Sequence, residues 1–193
     1  MNSYAPVLIT TLNRFEHFSR CVESLSKCTY ADQTELFIAL DFPFNDTQRL
    51  GYNKIKDYLP LITGFKDVIV LERNINYGFV KNIFSAIDIV FEKNNRIILS
   101  EDDNEFSPNF LDYINKGLEK FESNTNISAV CGYSFPIEIP EEYNSNFYLS
   151  QGFSAWGYGT WKEKFLKIDW NFNSISRFLL NPLNVINLNS YQY

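Results

Sequence analysis

Four times between Val7 and Leu118 the chain repeats one pattern: a short apolar run, a polar break, then apolar residues at helical spacing. The runs are Val7-Leu8-Ile9, Leu36-Phe37-Ile38-Ala39-Leu40, Val68-Ile69-Val70-Leu71 and Ile97-Ile98-Leu99. Each is too short for a helix and most are rich in β-branched residues, so each reads as a strand, those at Leu36–Leu40 and Ile97–Leu99 as buried ones. Phe15, Phe18, Val22 and Leu25 mark the first helix, Asp46 to Tyr58 a weaker second one, and Val80, Ile83, Phe84, Ile87, Val90 and Phe91 a third. Leu111, Ile114, Leu118 and Phe121 mark a fourth. Alternation of this kind predicts an α/β fold: a Rossmann-like, mostly parallel sheet flanked by helices on both faces. All strands then deliver their C-terminal ends to one rim.

Local boundaries carry their own signals. Asn13 and Glu16 have capping-box spacing ahead of the first helix, and Ser107-Pro108 reads as an N-cap and first-turn proline ahead of the fourth. Beyond Phe121 the pattern changes. Ser128 to Gly132 and Phe147 to Leu149 read as short strands, separated by a loop bearing Pro and Glu. The segment GFSAWGYGTWKEKF follows, dense in Gly and Trp, and then Lys167-Ile168-Asp169-Trp170. The last part, Phe172 to Tyr193, is Asn-rich and gives little signal.

Composition narrows the partners. A net charge of −6 argues against nucleic acid and against an anionic membrane surface. An anionic ligand stays open, because a divalent cation inverts the local field. The content of 18 Phe and 12 Tyr is high; some of these belong in the core, and others could line a sugar- or base-stacking groove. Cys21, Cys28 and Cys131 fit no metal-binding spacing, which favours a reducing compartment. There is no basic-then-apolar leader and no apolar run of membrane-spanning length. The expectation is a cytoplasmic protein, with peripheral association at the inner face of a membrane left open.

The chemistry collects at the strand ends. A parallel sheet brings Thr11, Asn13 and Arg14, Asp41, the turn Asn74 to Gly78, and the acids Glu101-Asp102-Asp103 to one rim. That rim would hold a cation, a carboxylate able to accept from a base or sugar, and an acidic cluster suited to a hard divalent metal. The bland alternative for the triplet is a solvated loop, or a helix N-terminal acid favoured by the macrodipole. The lone His17 sits among helix-forming residues and reads as surface.

At these residues the sequence resembles the nucleotide-sugar glycosyltransferases of the GT-A fold, namely glycosyltransferase family 2 and the N-acetylglucosaminyltransferase I family. EDDNEFSPNFLDY is similar to the latter's metal-site motif, and TLNR and the Asp ending the second strand also match. The resemblance covers roughly residues 5 to 170 and implies a single domain over 1–193, with a donor-binding half at 1–122 and an acceptor-side half at 123–193. It implies Asp103 as ligand of Mn²⁺ or Mg²⁺, completed by diphosphate oxygens and waters. Asp102 and Glu101 would contact the sugar or ribose, or order metal-bound water. Asp41 would accept the uracil N3–H, Arg14 would approach the diphosphate or ribose, and Asn76 and Tyr77 would lie against the nucleoside. Trp156 and Gly157 would form an acceptor-side loop, with one of Trp156 and Trp161 a core anchor instead. Asp169 would be the catalytic base, with Glu138 and Glu163 in reserve.

The implied activity is inverting transfer of a sugar from a UDP-sugar donor to a glycan or glycolipid hydroxyl, in surface-polysaccharide assembly. Family members continue beyond this point, so the resemblance also implies that part of the usual C-terminal segment is lacking. Two rivals remain. A sugar-nucleotide nucleotidyltransferase would carry a Gly-rich loop after its first strand, and TTLNRF contains no glycine. A non-catalytic relative binding nucleotide or glycan is disfavoured by the presence of Asp103, Asp41 and Asp169, and favoured by the short tail.

Overall fold

A computed structural model of the chain describes residues 4–170. The elements run β1 (Val7–Thr11), α1 (Phe15–Ser26), β2 (Glu35–Leu40), α2 (Asp46–Tyr58), β3 (Asp67–Glu72), α3 (Gly78–Lys93), β4 (Arg96–Glu101) and α4 (Phe110–Lys120). After them come β5 (Ala129–Cys131), β6 (Tyr158–Trp161) and the single turn α5 (Lys162–Phe165). The six strands form one sheet in the order β3-β2-β1-β4-β6-β5. The first four are mutually parallel, while β6 runs antiparallel to both β4 and β5. The chain is therefore a mixed α/β fold with a mostly parallel central sheet.

Alternate residues of each central strand serve opposite faces, as the two-residue period of a strand requires. Val7, Ile9, Leu36, Ile38, Leu40 and Ile98 pack with Phe18, Val22 and Leu25 of α1, Ile55 of α2, and Leu111, Ile114 and Leu118 of α4. On the other face Leu8, Phe37, Ala39, Ile97 and Leu99 meet Ala86, Ile87, Val90 and Phe91 of α3, joined by Phe165. Helices cover both faces. Each fully buried Leu, Ile or Phe in these layers contributes about 1.5–3 kcal/mol.

The order of strands decides where a ligand can enter. From β1 the chain steps outward to β2 and β3, then returns through α3 to place β4 on the opposite side of β1. The strand order therefore reverses between the C-terminal ends of β1 and β4. This topological switch point is where open α/β sheets bind ligands. β6 starts beside Leu99 and ends beside Arg96, so the 132–157 excursion leaves and rejoins the sheet at that same rim. Its neck is closed by the Gly132 amide donating to the Gly157 carbonyl at 2.7 Å.

Several local expectations are corrected. α1 takes Arg14 rather than Asn13 as its N-cap, with no side-chain capping bond. α4 begins at Phe110, and Ser107 forms the preceding turn by accepting from the Phe110 amide at 3.0 Å. Phe147 to Leu149 is not a strand, because Phe147 turns inward to stack on Tyr113 at 4.6 Å and meet Phe121 edge-on at 5.5 Å. The strand is β6, inside the Gly- and Trp-rich segment. Gly159 permits it, since a Cβ there would lie 2.6 Å from Ile114 Cγ2 of α4.

One close approach ties a covering helix to the rim. Gly51 in α2 lies against the β1–α1 connection, and a Cβ on it would sit 1.9 Å from the Asn13 carbonyl oxygen. Both partners are backbone, so neither yields easily. Gly51→Ala is expected to destabilise the protein by about 1–3 kcal/mol through overpacking, despite the ~1 kcal/mol gain in helix propensity. Urea denaturation of the pair of proteins measures the difference.

Candidate active site at the sheet switch point

The parallel register sets Thr10 beside Glu101, which brings Thr11 next to Asp102. The Thr11 hydroxyl donates to Asp102 Oδ2 at 2.7 Å. Asp102 is only 3% exposed, and its Oδ1 accepts from Arg14 Nη2. The other guanidinium nitrogen, Arg14 Nη1, donates to Asp103 Oδ2 at 3.0 Å. Arg14 therefore bridges a buried and an exposed carboxylate that both follow β4. Burial works against the Arg14 cation, but the bonds and charges of Asp102 and Asp103 more than offset it and raise its pKa above the ordinary value. Glu101 is half-buried, and its carbonyl accepts from the Cys21 thiol at 3.5 Å.

Asp41 closes the neighbouring strand end. It is 5% exposed, and its Oδ1 accepts from the amides of Phe42 at 2.9 Å and Tyr77 at 2.8 Å. Asn76 Nδ2 donates to the Phe42 carbonyl at 2.6 Å. Asp41 and Asn76 thus stitch the connections after β2 and β3 together. Two cations approach the Tyr77 ring, the Arg73 guanidinium at 5.0 Å and the Lys81 ammonium at 4.2 Å from its centroid. Because β2, β1 and β4 are neighbours, Asp41 and the triplet are about two strand spacings apart, roughly 10 Å. A nucleoside diphosphate spans such a distance.

The remaining expected residues divide. Asn13 is half-buried beside Arg14, in a shallow cleft of about 320 Å³ that Leu50, Gly51 and Lys54 also line. Trp156 is 52% exposed and meets Tyr133 edge-on at 4.6 Å, whereas Trp161 is buried and donates from Nε1 to the Leu118 carbonyl at 3.2 Å. One Trp faces solvent and the other anchors the core. Gly157 turns the chain into β6 with φ 76°. Asp169 is exposed and precedes Trp170, which packs on Phe84 of α3 and on Phe165 at 5.2 and 4.9 Å. It therefore lies on the α3 side of the sheet. Glu138, Glu163 and His17 are exposed.

Sequence reasoning missed the support under Tyr77. Arg73 Nε donates to Asn82 Oδ1 at 2.9 Å, and buried Asn82 donates onward to the Ala39 carbonyl at 3.0 Å. The available signal was a polar residue interrupting the apolar stripe of α3.

Among the described residues no group of three or more His, Cys, Asp or Glu side chains is arranged to hold a metal alone. The donor set still fits a hard divalent ion. Such ions commonly take one or two carboxylates and complete their shell with waters and substrate phosphates. Asp103 supplies an exposed carboxylate, and the Arg14 guanidinium already rests as a stand-in cation between it and Asp102.

No family model matches the chain, and no curated protein does. Among solved structures, the mannosyltransferase PcManGT from Pyrobaculum calidifontis, in complex with GDP-Man and Mn²⁺, superposes with a TM-score of 0.48 at 12% identity. That match covers 67% of this chain and 35% of that one. S. aureus TarS gives 0.45 at 16% identity, over 71% and 24% of the two chains. Its fragment 1–349 gives 0.43 at 14%, over 71% and 39%. The chain spans well under half the length of each. No helix among the described residues is long and apolar enough to cross a membrane.

Two outcomes follow from this geometry. Charge-assisted bonds to backbone amides contribute about 1.5–3 kcal/mol each. Asp41→Ala should therefore lower stability by about 3 kcal/mol in urea denaturation, and Asp41→Asn, which keeps an acceptor oxygen, by about half of that or less. Burial, followed by the charges of Asp102 and Asp103, pushes the Cys21 thiol up to about 12. Cys21 should consequently resist iodoacetamide at about pH 8 in the native protein and react in urea, as read by mass spectrometry.

Proposed function

We propose that the chain is a GT-A-type glycosyltransferase domain that moves a sugar from a UDP-sugar to a glycan or glycolipid hydroxyl with inversion. The observation that carries this reading is the meeting of Arg14 with Asp102 and Asp103 at the sheet switch point, two strands from buried Asp41. Under this reading the whole of 1–193 is one domain, with donor-binding residues in 1–122 and acceptor-side residues in 123–193. The setting is surface-polysaccharide assembly at the cytoplasmic face of a membrane.

The residues take the following parts. Asp103, with the donor's diphosphate oxygens, would hold Mn²⁺ or Mg²⁺, and Glu101 would contact the sugar or ribose or order metal-bound water. A bound divalent ion offsets the charge that grows on the departing diphosphate. Arg14 shares that charge. Asp41 accepts the imide N–H of the base, and Asn76 and Tyr77 face the nucleoside. Thr11 and Asn13 shape the floor. Trp156 and Gly157 receive the acceptor, the indole face packing against sugar C–H groups. Asp169 takes the proton from the acceptor hydroxyl as that oxygen attacks the anomeric carbon opposite the diphosphate.

Calorimetry tests the reading on this chain. UDP is expected to bind only when Mn²⁺ is present, and Asp103→Ala should weaken that binding at least about tenfold, the equivalent of ~1.4 kcal/mol. A GDP titration serves as the comparison for the base. Metal-independent UDP binding, or an Asp103→Ala protein that binds as the parent does, overturns the reading.

A further inference from the structure

The two arms of Arg14 are not equivalent. One reaches Asp102, whose side chain is 4% exposed and whose second oxygen is fixed by Thr11 at 2.7 Å. The other reaches Asp103, whose side chain is 35% exposed. A bond to a buried, doubly held carboxylate persists, whereas an exposed ion-pair contact contributes little and exchanges readily. The planar guanidinium fork presents two nitrogens side by side, so one can stay anchored while its neighbour changes partner.

We infer that Arg14 is an exchangeable counter-ion, positioned by the Thr11–Asp102 pair, that sets how strongly Asp103 takes a divalent metal. This rests on the reading of Asp103 as the metal ligand and of the donor as a nucleoside diphosphate. Without donor, one Arg14 nitrogen occupies an oxygen of Asp103, and a metal ion must compete with it. With donor, the Asp102 arm holds Arg14 at the rim while the other nitrogen passes from the Asp103 oxygen to a diphosphate oxygen. The carboxylate of Asp103 is then released for the metal. Asp102 is in this account a positioning residue, buried beneath the guanidinium and not in contact with the ligand. The consequence is reciprocal coupling: diphosphate must raise metal affinity, and metal must raise diphosphate affinity by the same factor.

The test is the affinity for Mn²⁺ alone, read from the free-ion electron paramagnetic resonance signal, with and without UDP. It compares the unmodified chain with Arg14→Gln, Arg14→Lys and Thr11→Val. Removing a unit cation a few ångströms from a divalent ion should tighten Mn²⁺ binding roughly tenfold in Arg14→Gln without UDP. The same variant should lose most of the enhancement that UDP gives the unmodified chain. Arg14→Lys keeps the charge but not the fork, and should retain weak binding of Mn²⁺ alone with reduced UDP coupling. Thr11→Val loosens the anchor and should shift both readings in the direction of Arg14→Gln. The inference is overturned if Arg14→Gln, folded by far-UV circular dichroism, binds Mn²⁺ alone no more tightly than the unmodified chain. It is also overturned if UDP tightens Mn²⁺ binding in the unmodified chain and does so to the same extent in Arg14→Gln. If the unmodified chain shows no UDP response but Arg14→Gln gains Mn²⁺ binding that a further Asp103→Asn removes, the counter-ion role stands and the donor reading falls.

Discussion

The structure depends on the parallel pairing of β1 with β4 at the centre of the sheet. That pairing joins segments far apart in sequence, fixing Thr11 beside Asp102 and Arg14 beside Asp103. Every other feature of the rim is placed relative to it. β2 extends the sheet on one side and brings Asp41, whose amide donates to the Thr11 carbonyl at 3.0 Å. β6 extends it on the other side and returns the aromatic excursion to the same edge. Because these strands are buried on both faces, their register is held by two hydrophobic layers, and a slip by one residue would turn every apolar side chain to the wrong face.

Burial also divides labour among the acids. A carboxylate out of water must be paired, and Asp102 is paired twice over, by a hydroxyl and by a cation. Asp41 is satisfied by the amide of Phe42 and by that of Tyr77 at the start of α3, where the helix dipole favours a negative group. Asp103 has neither shelter nor a second fixed partner among these contacts, and so keeps the exposure that an incoming ion requires. Three acids that look equivalent along the chain thus differ because the sheet edge buries Asp41 and Asp102 and leaves Asp103 at the surface.

Much of this was legible in the sequence. The four parallel strands and their helices follow from apolar periodicity, although β3 lies at the sheet edge and is only half-buried, and α2 has the bounds that periodicity assigned, Asp46–Tyr58. The gathering of Arg14, Asp41 and the triplet at one rim follows from parallel connectivity alone. What was not legible depends on contacts across the fold. β6 hid in a segment whose glycines read as loop, because only the packing of α4 explains Gly159 in a strand. Phe147 looked like strand material until Tyr113 and Phe121 gave it a place. The cap of α1 falls at Arg14, whose side chain pairs with two carboxylates from β4's end, contacts that a local capping rule does not see. The role of residues 171–193 lies outside the described residues.

The closed neck of the 132–157 excursion has an evolutionary consequence. Strand pairing ends at Cys131 and resumes at Tyr158, and one amide–carbonyl bond between Gly132 and Gly157 seals the base. Between those glycines the chain exposes Tyr133, Phe135, Phe153 and Trp156, and none of them holds the sheet together. Substitutions at these four positions are therefore largely screened from the folding core, whereas Phe147 ties the lobe to α4 through Tyr113. The molecule pairs a rim that tolerates little change with a lobe that can drift, so descendants of this chain can diversify in what they recognise while keeping the same scaffold.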